Sequence, residues 1–278
     1  MKLQAFLPLV THPHGNSDAI ASNATAIAAY LGAELHAEVI SAHISNASTV
    51  MSRLLPKLPE LIREAEAASR QRGEHLLEKI REEAAKKPVK LTTGVSSAAL
   101  LLTGEAAAIE ARYFDISLHG WETGNSTSRA TAEAVMFGSG RPAILLPEAL
   151  AIGTMGHVAI AWDGSRVAAR AVADAKPFLE RASKITVFTI VDEKPLTEED
   201  GAERLAGGLR RRGLAAEAAS IDIEDRPVGI GLQVHALERG ANLLVMGGYG
   251  HSVVRDFVLG GATEDVLDDL RLPVLFSH

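Results

Sequence analysis

The residue types and spacings best suited to chemistry lie near the C-terminal end. There the chain runs Leu243-Leu244-Val245-Met246-Gly247-Gly248-Tyr249-Gly250-His251-Ser252, then Phe257-Val258-Leu259-Gly260-Gly261-Ala262-Thr263. A short uninterrupted apolar run predicts a strand covered on both faces, and Gly247 lets the chain turn where a side chain would obstruct. Free backbone N–H groups of a glycine-rich loop, with a helix starting between Gly260 and Thr263, make a concavity suited to an anion such as phosphate. His251 and Arg255 lie inside the loop, either as neutralising charges or as solvated loop residues. An ordinary tight strand-to-helix connection is the competing explanation, and the rest of the chain decides between them.

The elements needed to position such a loop are present, and they occur twice. Lys2 to Val10 reads as a first strand, and a helix capped by Ser17 follows, with Ile20, Ile27 and Leu31 on one face and Gly32 as its stop. Leu35, Ala37 and Val39 alternate as a second strand. A long helical region from Met51 to Lys87 presents Leu61, Ala65, Ala68, Leu76, Leu77 and Ile80 as its packed stripe. Val89 to Val95 is a third strand, Ser97 to Tyr113 a helix, Asp115 to Gly120 a fourth strand, Ala130 to Phe137 a helix and Pro142 to Leu146 a fifth strand.

After a connector from Pro147 to Gly156 the series restarts with His157-Val158-Ala159-Ile160-Ala161-Trp162 and then Asp163-Gly164-Ser165. A helix follows with Ala168, Val172, Ala175 and Leu179 inward. Lys184 to Val191 is the next strand, Thr197 caps a helix carrying Leu205 and Leu209, and Ala215 to Ile221 is the third strand. A helix opened by Pro227 and closed by Gly240 presents Ile230, Val234 and Leu237. The glycine-loop strand, a helix from Ala262 to Leu270 and a strand from Pro273 to Phe276 complete the second unit. An α/β chain with two five-strand units is expected, residues 1–147 and 156–278, each a doubly wound parallel sheet. In such sheets ligands sit at the carboxyl ends of strands where the winding reverses, and Asp163 and Gly247 both fall there.

Composition agrees and removes other classes. Of 278 residues, 47% are hydrophobic but only 4% aromatic, so two cores are built from Ala, Val, Leu and Ile. Acidic residues outnumber basic ones 35 to 28, which disfavours nonspecific nucleic-acid binding. The chain has no cysteine, so disulfides, Cys-ligated metals and Cys nucleophiles are excluded. The first residues are too short in apolar run for a signal peptide and no later run reaches a membrane-spanning length, so a cytoplasmic protein without membrane association is expected. His12 and His14 form a His-x-His pair that, with His36, His43 and His119 at the same sheet edge, admits one reading as a metal site. Without a helical i, i+4 pair or any Cys, scattered surface or hydrogen-bonded histidines rank ahead and no metal ligand is assigned. Arg210-Arg211-Arg212 ends a helix, where positive charge complements the dipole. Neither unit carries a Walker-type phosphate loop, a Gly-x-Ser-x-Gly elbow or a Gly-x-Gly-x-x-Gly after its first strand.

The spacing Gly247, two residues, Gly250, nine residues, Gly260 and a small residue resembles the nucleotide-binding loop of the universal stress protein family. The chain as a whole resembles a tandem member with two copies of that family's flavodoxin-like, adenine nucleotide alpha hydrolase-like fold. The resemblance implies ATP, or AMP or ADP, with Mg²⁺ accompanying the phosphates. It implies Asp163 at the adenine-ribose end, backbone near Ile190 against adenine, and Gly247, Gly248, Gly250, His251, Gly260, Gly261, Ala262 and Thr263 around the phosphates. The family's Ser or Thr after the last glycine is replaced by Gly261, leaving Thr263 or backbone N–H groups to serve. Asp163 also suits the capping of the helix near Ser165, a role compatible with binding.

The first unit departs from the pattern. Thr11 stands where Asp163 does, Gly120 is followed by Trp121-Glu122-Thr123-Gly124, and the 22 positions from Gly120 to Pro142 compare with 26 from Gly247 to Pro273. One nucleotide site per chain, in the second unit, is therefore expected, with no catalytic residue assigned. A stress-response or regulatory binding module ranks ahead of a slow ATPase or a nucleotidyl or phosphoryl transferase, for which Glu264 and Asp265 are the nearest carboxylates. A vacant-site interaction module is the third reading. The resemblance also implies antiparallel pairing of the two last strands as an intrachain pseudo-dimer, is compatible with a homodimer, and leaves a protein partner unidentified.

Overall fold

The computed structural model describes residues 2–43, 57–190, 200–248 and 261–278. Within them lie strands β1 (Gln4–Leu9), β2 (Glu34–His43), β3 (Lys90–Ala99), β4 (Ile116–Trp121), β5 (Ala143–Pro147), β6 (His157–Ala161), β7 (Lys184–Ile190), β8 (Ala216–Ile221), β9 (Leu243–Gly247) and β10 (Val274–Ser277). The helices are α1 (Ala19–Leu31), α2 (Leu58–Ala85), α3 (Thr103–Ala111), α4 (Ser126–Gly138), α5 (Arg166–Asp174), α6 (Lys176–Leu179), α7 (Gly201–Arg211), α8 (Val228–Glu238) and α9 (Gly261–Asp268). The alternation read from the sequence is thus the alternation of the fold.

The strands form one ten-stranded sheet in the order β3-β2-β1-β4-β5-β10-β9-β6-β7-β8. Each unit is parallel within itself, as helical crossovers require, and the winding reverses beside β1 and beside β6. The units meet through β5 and β10, which pair antiparallel with Val274 opposite Leu145 and Phe276 opposite Ala143. This is the expected pairing of the last strands. Running antiparallel, it turns the carboxyl ends of the two units toward opposite edges of the sheet.

The central strands are apolar and fully buried: Ile144, Leu145, Val245 and Leu275 are each 0% exposed. The connector is pinned to the first unit by Asn23, whose amide donates to the Leu150 carbonyl at 2.9 Å and whose carbonyl accepts from Ile152 N at 3.1 Å. Tyr30 Oη donates to the Met155 carbonyl at 3.0 Å, and Arg181 reaches back from the second unit to the Leu31 carbonyl at 2.9 Å.

Several expected details differ, each for a local reason. Ser17 does not cap α1. Asp18 holds the cap position without a side-chain cap bond, and the Ser17 N–H is taken by a distant carboxylate. In α2 the stripe is real at Leu76, Leu77 and Ile80, but Leu61 is 58% exposed and Ala68 is also exposed; the buried position in that half is Ser69, which is 2% exposed and bonded to Thr11 Oγ1. Ser97 belongs to β3, and the helix after it starts only at Thr103. In α8 the buried positions are Gly229, Gly231, Leu232, Gln233 and Ala236, while Leu237 is exposed. Glycines let α8 approach its neighbours closely, and buried Gln233 bonds the Asp269 carbonyl at 2.8 Å and Arg271 N at 2.7 Å. Thr197 lies outside the described residues.

Candidate functional site

In the second unit, β6 stands between β7 and β9, so the residues leaving all three strands converge at one edge. After β6 the chain turns through Asp163 and Gly164. Gly164 has φ +75°, a left-handed conformation that suits glycine. Asp163 Oδ1 accepts from Ser165 N at 2.9 Å, and Ser165 Oγ accepts from Ala168 N at 3.1 Å. Ser165, not Asp163, is therefore the N-cap of α5. Asp163 shapes the turn and remains exposed.

Gly247 ends β9 against the first turn of α5. A Cβ there would lie 2.6 Å from Val167 Cγ2 and 2.7 Å from both Val167 C and Ala168 N. Its φ is outside the left-handed region, so the glycine is needed for close approach and not for a turn. The Gly248 N–H is not free for an anion, because it donates to the Ser277 carbonyl at 2.8 Å and continues the β9–β10 ladder. The Gly248 carbonyl lies 3.1 Å from His278 Nδ1. Gly261 opens α9, with no atom of the described residues within 4 Å of the point a Cβ would occupy; Ala262 follows it, and Thr263 is 3% exposed. Gly250, His251, Arg255 and Gly260 lie outside the described residues.

An open cleft of about 1010 Å³ lies on the β7 side of this edge, lined by Trp162, Asp163 and Gly164, by Thr189, and by the α7 residues Gly201 and Arg204. Ile190 does not line it. Side chains alternate along β7, and Ile190 packs with Phe188 in the core on the opposite face, leaving Thr189 toward the cleft. Thr189 is 7% exposed, and its hydroxyl has no hydrogen-bond partner among the described residues. Such a group is costly to leave unsatisfied. Trp162 and Thr189 are the residues that sequence reasoning missed; a polar residue near the end of an apolar strand was the available signal.

The carboxylates considered near the phosphates have other occupations. Asp265 Oδ2 accepts from Gly229 N at 3.0 Å, tying α9 to α8. Glu264 Oε1 accepts from Arg129 of the first unit. Both hold α9 in place.

In the first unit the end of β4, the counterpart of the Gly247 end of β9, is occupied from within. Glu148, just after β5, is 8% exposed; its Oε1 accepts from Asn16 Nδ2 at 2.7 Å and its Oε2 from Ser17 N at 2.6 Å. Asn16 in turn accepts from Val10 N at 2.8 Å. A Cβ on Gly120 would sit 2.0 Å from Glu148 Oε1, so the end of β4 admits this carboxylate only because residue 120 is glycine. Thr11 Oγ1 is paired with Ser69 Oγ at 2.7 Å. Glu122, expected to bring negative charge here, is exposed, and Glu148 supplies that charge instead. Glu148→Ala leaves two donors unpaired and is expected to lower unfolding stability by about 2–3 kcal/mol, read by urea denaturation. A loss below about 0.5 kcal/mol would show that the carboxylate carries no such role.

Among the described residues, no three His, Asp or Glu gather as a metal site. His36 bonds Thr92 Oγ1 at 2.8 Å, His43 pairs with Glu66 at 3.0 Å, and His119 is buried in β4 beside Ser117 Oγ at 3.0 Å. Arg210 and Arg211 end α7 in its last turn. Among the described residues no helix is long and apolar enough to cross a membrane.

Two findings now place the chain among known proteins. Residues 155–278 match the model of the universal stress protein family. The second unit is thus similar to that family over those residues. A universal stress protein from Archaeoglobus fulgidus DSM 4304 superposes with a TM-score of 0.67 at 14% identity, covering 99% of this chain and 95% of that one. A functionally unknown protein from Pseudomonas aeruginosa PAO1 gives a TM-score of 0.53 at 16% identity, covering 98% and 92%. At these identities the likeness is one of fold, and it extends over both units. No curated protein matches the chain.

Proposed function

We propose that the second unit binds an adenine nucleotide, ATP or its shorter forms AMP and ADP, and that the chain acts as a nucleotide-responsive regulatory module of the stress response. The observation that carries this reading is the cleft shared by Asp163 and the unpartnered Thr189 hydroxyl at the carboxyl ends of β6 and β7. Asp163 and the backbone near Ile190 take the adenosine end. Gly247 supplies the close approach of β9 to α5, while Gly261, Ala262 and Thr263 open α9 toward the phosphates. Gly250, His251 and Gly260 complete the proposed set, and Gly248 contributes through its position, its N–H being engaged. Mg²⁺ accompanies the phosphates as the nucleotide's counter-ion.

Binding ranks ahead of turnover because Glu264 and Asp265 are engaged in holding α9. Trp162, one of two tryptophans in the chain, lines the cleft and serves as its reporter. Titration with ATP is expected to change tryptophan emission saturably, and Asp163→Ala to weaken the response. Gly261→Ser meets no atom of the described residues and restores a hydroxyl beside the phosphates. It is expected to tighten ATP about 3- to 10-fold, as one added hydrogen bond would. Saturable ATP binding that neither substitution alters would place the nucleotide elsewhere.

A further inference from the structure

The first unit reaches into the second through one side chain. Arg129, in the first turns of α4, donates from Nε to Glu133 Oε1 at 2.9 Å, from Nη1 to Asp268 Oδ1 at 2.7 Å and from Nη2 to Glu264 Oε1. Glu133 lies on its own helix, but Glu264 and Asp268 lie on α9, across the β5–β10 junction. The side chains of Arg129 and Glu264 are 27% and 32% exposed, so the contact is only partly screened by water. Burial alone would weaken the charge on Arg129; the three carboxylates outweigh it and hold the guanidinium protonated.

Glu264 belongs to the first turn of α9. A carboxylate there favours the helix but opposes an anion at the same end. The second oxygen of Glu264 is buried without a partner among the described residues, so its charge is countered there through the Arg129 contact.

We propose that Arg129 is a positioning residue for the phosphate end of the second unit's site. It fixes the first turn of α9 and offsets the charge of Glu264 beside the phosphates. The inference rests on the nucleotide reading of that site, and it gives the first unit a role. With the end of its own β4 occupied by Glu148, that unit completes the site of its neighbour.

The test compares adenosine, AMP and ATP on the full chain in wild type, Arg129→Gln, Arg129→Lys and the double variant Arg129→Gln with Glu264→Gln. For Arg129→Gln the loss of affinity grows with phosphate number, from less than about twofold for adenosine to about tenfold for ATP. Arg129→Lys retains part of the ATP affinity, and the double variant regains most of it. A clamp that merely supports the fold would weaken all three ligands alike. Losses independent of phosphate number, or ATP binding unchanged in Arg129→Gln, would overturn the inference while leaving the nucleotide site standing. Wild type that binds none of the three ligands would remove the nucleotide reading and this inference together. Should Arg129→Gln fail to fold, the comparison of Arg129→Lys with the double variant decides the matter on the same criterion.

Discussion

Gly247→Ala is expected to lower the unfolding free energy by about 3 kcal/mol, at the upper end for one added methyl in a packed interior. The new Cβ would meet Val167 Cγ2 at 2.6 Å and the backbone atoms Val167 C and Ala168 N at 2.7 Å. A side-chain methyl can rotate away, but the backbone of the first turn of α5 cannot. Ala168 N is the donor to the Ser165 cap, so moving it strains that bond as well. Gly248→Ala is the matched control, because among the described residues the nearest atoms to its Cβ would be at 3.7 and 3.8 Å, ordinary contact distances. Urea denaturation of the two variants should separate them by most of the predicted loss. Equal stability would mean that the strand end and helix start are free to separate, and that Gly247 does not define the crevice.

The second large effect concerns acid. His119 is buried in β4, and burial pushes its pKa down to about 3 from the usual 6.5. Folded His119 is therefore neutral over a range in which the unfolded chain takes up a proton. Stability contributed by this neutral state is full above pH 6.5 and is lost as pH falls from there toward about 3, because the unfolded state binds more protons throughout that interval. The accumulated loss approaches about 4 kcal/mol at the acid end. The pKa of His157 is lowered as well, first by burial and then by Lys184 nearby, so it acts in the same direction. His119→Phe should flatten the acid limb, with its stability relative to wild type rising steadily between pH 7 and pH 4. Denaturation curves measured at both pH values check this, and an offset that stays constant with pH would contradict it.

Much of the architecture was legible because it rests on local pattern. Uninterrupted runs such as Leu243 to Met246 and Ile144 to Leu146 give buried strands, and the repeated strand-helix order gives two units joined at their last strands. Local pattern misled where glycine or a polar residue occupied the buried face, as in α8, whose inward positions include Gly229 and Gln233. At the site, the placement of Asp163 and Gly247 at neighbouring strand ends followed from strand periodicity. Their detailed roles did not. That Ser165 caps α5, that the Gly248 N–H is held by Ser277 and that Thr189 rather than Ile190 lines the cleft depend on backbone direction at single residues.

Contacts between distant residues were the least legible. Glu148 meets Ser17 across 131 positions, and Arg129 meets Glu264 across 135. Neither pair shows a periodicity, because each charge finds its partner only after residues far apart in the chain have been brought together, within the first unit for Glu148 and across the junction for Arg129. The two units differ in these contacts: the end of β4 is occupied by a carboxylate, Glu148, while the helix that follows β9 is braced from across the junction by Arg129.

The central claim is a single adenine nucleotide site, in the second unit. Isothermal titration calorimetry of the full chain with ATP and Mg²⁺ tests it most directly, with Asp163→Ala measured alongside. Saturable binding of one ATP per chain, weakened in the variant, is expected. No saturable heat from folded wild type, or two equivalent sites per chain, would contradict it.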